Sequence, residues 1–331
     1  MKKQKIRWGI MGCGRIAEKF ATDLKWVKGA TLTAVGSRDL NKAKKFAKQF
    51  SATHAHGSYL DLVKNDEVDV IYIATPHSLH CENTLLCIEH NKAVLCEKPF
   101  AINSKQTKQM IDAARHKNIF LMEAVWTKFL PHYKKMQELI KKGKIGEVKS
   151  VLVNFGFRLN PDAPSRLSDP ALGGGTLLDI GIYNVFMALS VLGKPDQIEA
   201  RMTPTPEGID EQCAIQFIYK NGALAQLFSS FSTNLPTEVH VNGTKAYIKL
   251  TSRFYESSSQ VEMHYGMGDK GDKIKIKKEK GIGYWHEAKH VTDCLKKGLT
   301  ESPVMSHADT IQLMETLDEI RRIAGLRYAA D

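Results

Sequence analysis

Hydrophobic and polar positions follow two different patterns along the chain, and the change between them separates two halves. Up to about residue 124, short apolar runs alternate with longer stretches of helical spacing, as in a parallel sheet with crossover helices. The predicted strands are Ile6–Met11, Thr31–Gly36, Val68–Ala74, Ala93–Glu97 and Ile119–Glu123. The predicted helices are Ile16–Lys25, Leu40–Phe50, Leu79–Glu89 and Lys105–Lys117. This order predicts a doubly wound α/β domain over residues 1–124.

The second half, residues 125–331, contains longer strand patterns with a period of two and predicts an α+β domain with an open, mostly antiparallel sheet. The predicted helices are Pro131–Lys142 and His307–Ala324, and the predicted strands are Glu147–Phe157, Gln197–Thr203, Gln212–Tyr219 and Ala223–Thr233. Asn221 and Gly222 predict a hairpin with a type I′ turn, because both central residues of that turn need positive φ. The alternating, lysine-rich stretch Lys273–Lys280 predicts an edge strand that its charges protect from aggregation.

Composition supports two globular domains that remain in the cytoplasm. The chain has 331 residues, of which 43% are hydrophobic and 25% charged, as in ordinary globular proteins. No apolar run is expected to approach the eighteen or so residues that span a bilayer, and the N-terminus leads into a strand rather than a signal peptide. Without CxxC or zinc spacing, the cysteines indicate reduced thiols; they are Cys13, Cys81, Cys87, Cys96, Cys213 and Cys294.

The formal net charge of +11 raises the question of a polyanionic partner. The lysines, however, recur within predicted amphipathic helices, where they form the solvated face. We therefore expect neither nucleic-acid nor membrane binding. The positive charge favours a phosphate-bearing cofactor instead.

The first strand is followed by a glycine-rich turn that predicts dinucleotide binding. Gly12, Gly14 and Ala17 match G-x-G-x-x-A at the first βα junction, and Arg15 and Ile16 begin the helix. Gly12 permits the tight turn, Gly14 allows the backbone to approach a pyrophosphate, and the helix N-terminus favours the anion.

The end of the second strand predicts a preference for NADP. NAD-specific domains usually place a carboxylate there on the ribose 2′-hydroxyl, whereas this chain has Ser37 and Arg38. A hydroxyl followed by a guanidinium can bind a 2′-phosphate. In the alternative, Arg38 pairs with Asp39, and Asp39 reaches the ribose.

Two further motifs carry candidate catalytic groups. Glu97-Lys98-Pro99 ends a predicted strand, where open α/β sheets bind ligands, and the alternative is an exposed lysine at a strand end. The segment 173–183 runs from three glycines into a helix on which Asp179 and Tyr183, four residues apart, share a face. Taken singly, such a tyrosine more often packs in a core and such an aspartate favours the helix dipole.

Together these motifs resemble the Gfo/Idh/MocA family of nicotinamide-dependent oxidoreductases over essentially the whole chain. VLCEKPF, LMEAVWTKFLP, GGGTLLDIGIY and HEAKHVTDCLKKGLTESPV are most similar to the dihydrodiol dehydrogenase branch. Many members have His at the position of Tyr183, whereas that branch has Tyr. The resemblance implies a Rossmann domain followed by a substrate-binding and oligomerisation domain with an open sheet.

The resemblance also implies roles for individual residues. It makes Lys98 and Tyr183 the catalytic pair, with Asp179 in support. A phenol next to a cation ionises readily enough to exchange a proton with an alcohol, while the hydride moves to or from the nicotinamide. The expected cofactor residues beyond the glycine-rich turn are Ser37, Arg38, Thr75, His77, His80, Glu97 and Lys98. The expected substrate contacts are Trp126, Phe129, Phe155 and Arg158.

The leading hypothesis is an NADP-dependent dehydrogenase or reductase, with NAD also possible, that acts on a trans-dihydrodiol or on an aldose such as xylose or glucose. The alternatives are a keto-sugar or dicarbonyl reductase and an NADP-sensing regulator without turnover. His54 and His56 lack a third ligand in the sequence, so no metal is expected. Because helices on one side only would leave an apolar sheet face open, we expect a homodimer or larger assembly.

Overall fold

The computed structural model describes residues 5–160, 166–266, 268–276 and 280–331, and the chain divides into two units. One unit consists of Met1–Trp126 and Glu279–Ile311, and the other of Thr127–Lys278 and Gln312–Asp331. The predicted domains, 1–124 and 125–331, were consecutive blocks. The division in the structure differs because a segment near the C-terminus joins the first unit.

The first unit is built on a parallel sheet whose strands alternate with helices. Its elements up to residue 124 are β1 (Ile6–Met11), α1 (Arg15–Leu24), β2 (Ala30–Gly36), α2 (Leu40–Phe50), β3 (His54–His56), α3 (Tyr59–Val63), β4 (Val70–Ile73), α4 (His80–Glu89), β5 (Ala93–Glu97), α5 (Ser104–Lys117) and β6 (Leu121–Ala124). The strand order is β3-β2-β1-β4-β5-β6, and every pair is parallel. This confirms the predicted α/β class. The order reverses between β1 and β4, where doubly wound sheets bind their ligands.

The pattern of apolar positions did not predict β3 and α3. Strand β3 has only three residues, all half-buried, and pairs with β2 through its backbone at the sheet edge. Its two histidines, His54 and His56, therefore lie in a strand. An edge strand this short carries no apolar run, so its position depends on backbone pairing alone.

The second unit is built on a mostly antiparallel sheet. Its first helix is α6 (Pro131–Lys141), and its strands are β7 (Val148–Gly156), β8 (Gln197–Pro204), β9 (Asp210–Ile218), β10 (Leu224–Ser230), β11 (Val239–Gly243), β12 (Tyr247–Leu250), β13 (Val261–His264) and β14 (Asp272–Ile274). The strand order is β14-β13-β12-β11-β7-β10-β9-β8. Only the β7–β10 pair is parallel among these described strands. The predicted open sheet is confirmed.

The hairpin between β9 and β10 is present, but its turn is not type I′. Gly222 has φ +81°, whereas Asn221 is not among the residues with positive φ, and the Gly222 N–H donates to the Tyr219 carbonyl at 2.9 Å. This is a turn closed by a glycine bulge, which the same dipeptide also suits.

At the other end of the sheet, the predicted edge strand begins within β14, while residues 277–279 lie outside the described residues.

A long apolar helical stretch covers one face of the second sheet. It ends in α7 (Ile182–Leu192), which packs on β7 and β10. By length and composition, Pro170–Leu192 could cross a membrane, so the expectation that no apolar run is long enough was wrong. In the structure, 78% of its most apolar window is buried, as in the core helix of a folded domain.

Two helices complete the chain, α8 (Trp285–Lys296) and α9 (His307–Ala324). The fully buried Asp23 of α1 accepts the backbone N–H groups of Ile282 at 2.8 Å and Gly283 at 2.6 Å, immediately before α8. The indole N–H of Trp8 donates to Thr292 of α8 at 3.3 Å. These bonds explain why the segment around α8 belongs to the first unit.

Candidate active site

The glycine-rich turn has the geometry that a pyrophosphate requires. Gly12 has φ +95°, and a Cβ there would lie 3.0 Å from the Ala74 carbonyl oxygen. Gly14 is the N-cap of α1, and a Cβ there would meet nothing within 4 Å. Arg15 is exposed, Ile16 is half-buried, and Ala17 is fully buried. The open space at Gly14 faces the first turn of a helix, where backbone N–H groups bind anions.

The tip of β2 presents a hydroxyl and a guanidinium. Ser37 is buried, and its Oγ accepts the Asp39 N–H at 3.2 Å. Asp39 caps α2 by accepting the N–H groups of Asn41 and Lys42 at 2.8 and 3.2 Å. Within the described part of the chain, the exposed Arg38 has no ion pair or hydrogen bond. The alternative pairing of Arg38 with Asp39 is therefore absent, and the Asp39 carboxylate is engaged in capping.

The loop after β4 is tied to the turn after β5 by His80. This histidine is fully buried; its Nδ1 lies 2.7 Å from the Pro99 carbonyl oxygen and its Nε2 lies 2.9 Å from that of Thr75. Thr75 also accepts a hydrogen bond from Asn83 at 3.1 Å. His77 is buried in the intervening 3₁₀ turn, with its ring centroid 5.8 Å from that of His80. His80 thus holds together two loops at the carboxyl edge of the sheet.

Lys98 follows a buried carboxyl group at the end of β5. Glu97 accepts hydrogen bonds from the hydroxyl of Tyr72 on β4 and, at 3.2 Å, from the backbone N–H of Lys98. The Lys98–Pro99 peptide bond is cis. Hydrogen bonds on either side of Lys98 therefore fix the backbone from which its side chain projects.

In the second unit, Asp179 lies in a π-helical turn, Leu177–Gly181, that continues directly into α7. Its side chain is buried and binds the guanidinium of Arg166, with Nη2 and Oδ1 2.9 Å apart. Single π-helical turns occur often at functional sites. Tyr183, one turn later, is also buried.

Asp210 holds the start of this π-helical turn. Its carboxylate accepts the Thr176 hydroxyl and the Leu177 N–H, each at 2.6 Å. Burial raises the pKa of Asp210 to about 6, against the effect of these hydrogen bonds. Gly175 has φ +112°, and a Cβ there would collide with the Asp210 carboxylate. Gly174 and Gly175 therefore form a packed turn rather than a flexible linker.

Tyr183 belongs to an aromatic cluster that the sequence only partly predicted. Its ring centroid is 6.0 Å from that of Phe155 and 5.3 Å from that of Tyr255, and these two rings stack at 4.4 Å. The hydroxyl of Thr127 donates to the Tyr255 carbonyl at 3.1 Å. Burial raises the pKa of Tyr255 to about 12, so its hydroxyl remains neutral.

Comparison with known proteins identifies the family. Residues 6–125 match the model of the oxidoreductase family with an NAD-binding Rossmann fold, and residues 133–249 match the Gfo/Idh/MocA C-terminal domain. Two relatives are trans-1,2-dihydrobenzene-1,2-diol dehydrogenases from Xenopus laevis and Mus musculus, each 36% identical. These alignments cover 97% and 98% of this chain and 99% of each relative. This chain belongs to the Gfo/Idh/MocA family.

Solved structures show the same fold. An aldose-aldose oxidoreductase from Caulobacter crescentus, complexed with glycerol, has a TM-score of 0.88 at 23% identity. A 3-ketoreductase from Actinomadura kijaniata, in complex with NADP and TDP-benzene, has a TM-score of 0.85 at 23% identity. A levoglucosan dehydrogenase, in complex with NADH and levoglucosan, has 0.85 at 22%. Each comparison covers 97% of this chain and 98% of the other.

Membership in the Gfo/Idh/MocA family confirms the predicted NAD(P)-binding Rossmann domain and the predicted dehydrogenase class. The alternative hypothesis, an NADP-sensing regulator without turnover, is therefore rejected. The turn at Gly12 and Gly14 has the space and the helix N-terminus that the cofactor requires, so its residues fit the group that the family binds.

The remaining predicted substrate residues have different surroundings. Trp126 is buried in the first unit and stacks on Tyr284 at 4.1 Å, while Phe129 is buried in the second. Arg158 is exposed, and its backbone N–H donates to Asn234 at 3.1 Å. The arginine that binds Asp179 is Arg166. No local sequence pattern predicts this role for Arg166, because the contact joins residues from different segments.

The two histidines weighed as metal ligands have other partners. His54 Nε2 lies 2.6 Å from Glu67 Oε2, and His56 Nε2 lies 3.1 Å from the amide nitrogen of Asn65. A carboxylate that the sequence did not suggest thus accompanies His54. Among the described residues, no three potential metal ligands lie close together.

The open space at Gly14 yields a test of the cofactor site. Gly14→Ala should lower NADP affinity about 10- to 100-fold, because a methyl group would displace the pyrophosphate from charge-assisted hydrogen bonds. Isothermal titration calorimetry measures this loss. The free energy of unfolding in urea should change by no more than about 1 kcal/mol.

The matched control is Gly266→Ala in the second unit, where a Cβ also meets nothing within 4 Å. It should leave cofactor affinity unchanged. Unaltered NADP binding by Gly14→Ala would show that the cofactor does not use this turn.

Proposed function

We propose that this protein transfers a hydride between NADP and a secondary alcohol or hemiacetal, with a trans-dihydrodiol or an aldose as substrate. The observation that carries the proposal is the setting of Tyr183, whose phenol lies in a cluster of aromatic rings one helical turn after an arginine-bound carboxylate. Aromatic faces suit a flat or cyclic substrate, and a carboxylate suits its hydroxyl groups. The related dihydrodiol dehydrogenases act on a trans-dihydrodiol, as their name states.

The proposed chemistry assigns a separate task to each of three side chains. Bound NADP supplies the hydride acceptor. Tyr183, ionised as a phenolate that the ammonium of Lys98 stabilises, accepts the hydroxyl proton and becomes a neutral phenol. Lys98 also stabilises the alkoxide character that develops on the substrate, and Asp179 orients a neighbouring hydroxyl. In the reverse direction Tyr183 donates the proton, so the same residues would reduce a keto-sugar or dicarbonyl. Arg166 holds the Asp179 carboxylate in place through their ion pair.

We assign the cofactor residues by their places at the carboxyl edge of the sheet. Gly12, Gly14, Arg15 and Ile16 take the pyrophosphate. Ser37 and Arg38 take the 2′-phosphate, because Arg38 has no competing partner among the described residues and Asp39 is occupied as a cap. The nicotinamide side is assigned to Thr75, His77, His80, Glu97 and Lys98, with His80 acting through the loops that it connects.

We assign the substrate side to the second unit, with Phe155, Phe129 and Arg158, and to Trp126 at the end of the first. The six cysteines are buried free thiols, which supports a cytoplasmic location.

We further propose that the uncovered face of the second sheet binds a second copy of this chain. Helix α7 packs on one face, and the opposite face exposes Leu152 at 39%. On β8 the same face carries Glu199 and Arg201, both exposed and two residues apart. Neighbouring opposite charges can pair with their own copies across a two-fold axis, so the face is complementary to itself.

Cofactor preference is tested at Arg38. Arg38→Ala should weaken NADP binding by roughly 1.5 to 3 kcal/mol more than NAD binding, because one charge-assisted bond to the phosphate is lost. Dissociation constants for both cofactors provide the comparison. Lys48→Ala, which removes a charge from the far end of α2, is the control. Equal weakening of both cofactors would show that Arg38 does not discriminate between them.

The catalytic pair is tested on the best substrate from a panel of sugars and cyclic diols, read by the absorbance of reduced nicotinamide. Tyr183→Phe and Lys98→Met should each lower turnover by about 10²–10⁴ while cofactor binding survives. The double variant should be little worse than either, because the two residues act as a unit.

Tyr219→Phe is the matched control, since it removes a hydroxyl that bonds to the Gly193 carbonyl. It should retain turnover. If Tyr183→Phe also does so, Tyr183 is a packing residue; if Lys98→Met loses cofactor binding instead, Lys98 belongs to the cofactor site alone.

Assembly is tested by light scattering at micromolar concentration. We expect at least twice the chain mass of 37.1 kDa. Leu152→Glu should shift the protein towards the monomer, whereas Leu60→Glu, at an exposed leucine of the first unit, should not. A wild-type protein that is only monomeric contradicts the proposal.

A further inference from the structure

Another buried carboxyl group of the first unit lies on α8, the helix whose preceding backbone Asp23 binds. Glu287 is in the first turn of α8 and has no exposed surface. Among the described residues, neither of its carboxyl oxygens has a hydrogen-bond partner. Buried carboxyl groups are rarely left in this state without a reason. Nothing in the proposed chemistry so far uses this one.

The surroundings of Glu287 connect it to the turn that carries Lys98. Tyr72 pairs with Leu95 across β4 and β5, so Glu97, two residues further on, lies on the same face of the sheet as Tyr72. The Tyr72 ring stacks on Phe20 of α1 at 3.8 Å. Helix α8 packs on α1 and on β1, the strand next to β4, and the charge of Glu97 contributes to raising the pKa of Glu287. The two carboxyl groups and the phenol therefore form one buried cluster, which we call the Glu97 cluster.

The hydrogen-bond donors are unequally divided between the two carboxyl groups. Glu97 accepts hydrogen bonds from the Tyr72 hydroxyl and the Lys98 N–H. Glu287 accepts none from the described residues. Two neighbouring buried carboxylates repel each other, so one of them holds a proton. The donors stabilise the charge on Glu97, which leaves the proton on Glu287.

The ionisable groups around the cluster agree with this division. Burial, and secondarily the charge of Glu97, raises the pKa of Glu287 well above its ordinary value. Burial, and secondarily the charge of Glu97, also raises the pKa of Tyr72 well above its ordinary value, so Tyr72 remains a hydroxyl donor. We therefore place the negative charge of the pair on Glu97 and the proton on Glu287.

We propose that Glu287 is an uncharged positioning residue whose carboxyl proton is directed at Glu97 through one buried water. Together with the Tyr72 hydroxyl and the Lys98 N–H, this proton helps to keep Glu97 ionised and the backbone of Lys98 fixed. The expected effect on turnover rests on the proposed function of Lys98, whereas the protonation state of Glu287 is independent of that function.

Infrared difference spectroscopy tests the protonation state without turnover. At neutral pH, wild type minus Glu287→Gln should show the carbonyl stretch of a protonated carboxyl group, which is separate from the carboxylate bands. Asp293→Asn removes an exposed carboxylate of the same helix that pairs with Lys289, and its difference spectrum should lack that stretch. Absence of the stretch from the Glu287→Gln difference shows that Glu287 is ionised and overturns the proposal.

Kinetics test the positioning role by comparing an amide with a hydrocarbon. Glu287→Gln can still donate to Glu97 and should keep turnover within about threefold of wild type, whereas Glu287→Leu should lose about 10- to 100-fold, as expected for a misplaced catalytic group. The loss should fall on kcat, with KM for the cofactor little changed. Wild-type turnover in Glu287→Leu overturns the positioning role.

The two proposals fail in different ways. If Lys98→Met keeps its turnover, the proposed function of Lys98 is wrong, while the infrared result still decides the state of Glu287. If Glu287→Leu does not fold, Glu287→Gln remains decisive, because loss of turnover in that folded variant contradicts a role that an amide donor can fill.

Discussion

The structure depends on placing a buried carboxylate, Glu97, where a parallel strand ends. An isolated charge there would be costly, and hydrogen bonds from Tyr72 and Lys98 offset that cost. The same bonds fix the backbone of Lys98. His80 adds a second connection by linking the Pro99 carbonyl to the Thr75 loop. The position of the candidate catalytic lysine therefore follows from the requirement to satisfy the buried polar groups around it.

The second unit also contains a buried carboxyl group, Asp210, that needs hydrogen-bond donors. This buried carboxyl group accepts donors from Thr176 and Leu177, and thereby holds the first turn of the helix that carries Asp179 and Tyr183. The collision expected for any Cβ at Gly175 explains why glycine is needed there. In both units, a buried acid positions a candidate catalytic residue without being exposed itself.

Periodicity and local motifs were sufficient where an element is determined by its own residues. Strands β1 and β5 and helix α2 have the predicted bounds, because each combines an unbroken apolar pattern with a clear end. The three-residue β3 depends on pairing with β2 and could not be predicted in this way. Nor could the return of α8 to the first unit, which depends on the bonds between Asp23 and the backbone at Ile282 and Gly283.

The residues of the candidate site also differ in whether a local motif predicts them. The glycine-rich turn and Glu97-Lys98-Pro99 are contiguous motifs and were visible in the sequence, as were Asp179 and Tyr183 at helical spacing. Arg166, Tyr255 and Glu287 acquire significance only from partners distant in the chain, and no local pattern marks them. Long-range electrostatic and aromatic contacts are therefore what the structure adds.

The central claim is that a hydride passes directly from a carbinol carbon to the nicotinamide. The most direct measurement is mass spectrometry of the reduced cofactor after turnover of a diol or aldose that carries deuterium on the reacting carbon. The account predicts one deuterium per reduced nicotinamide. Reduced cofactor without the label would contradict it.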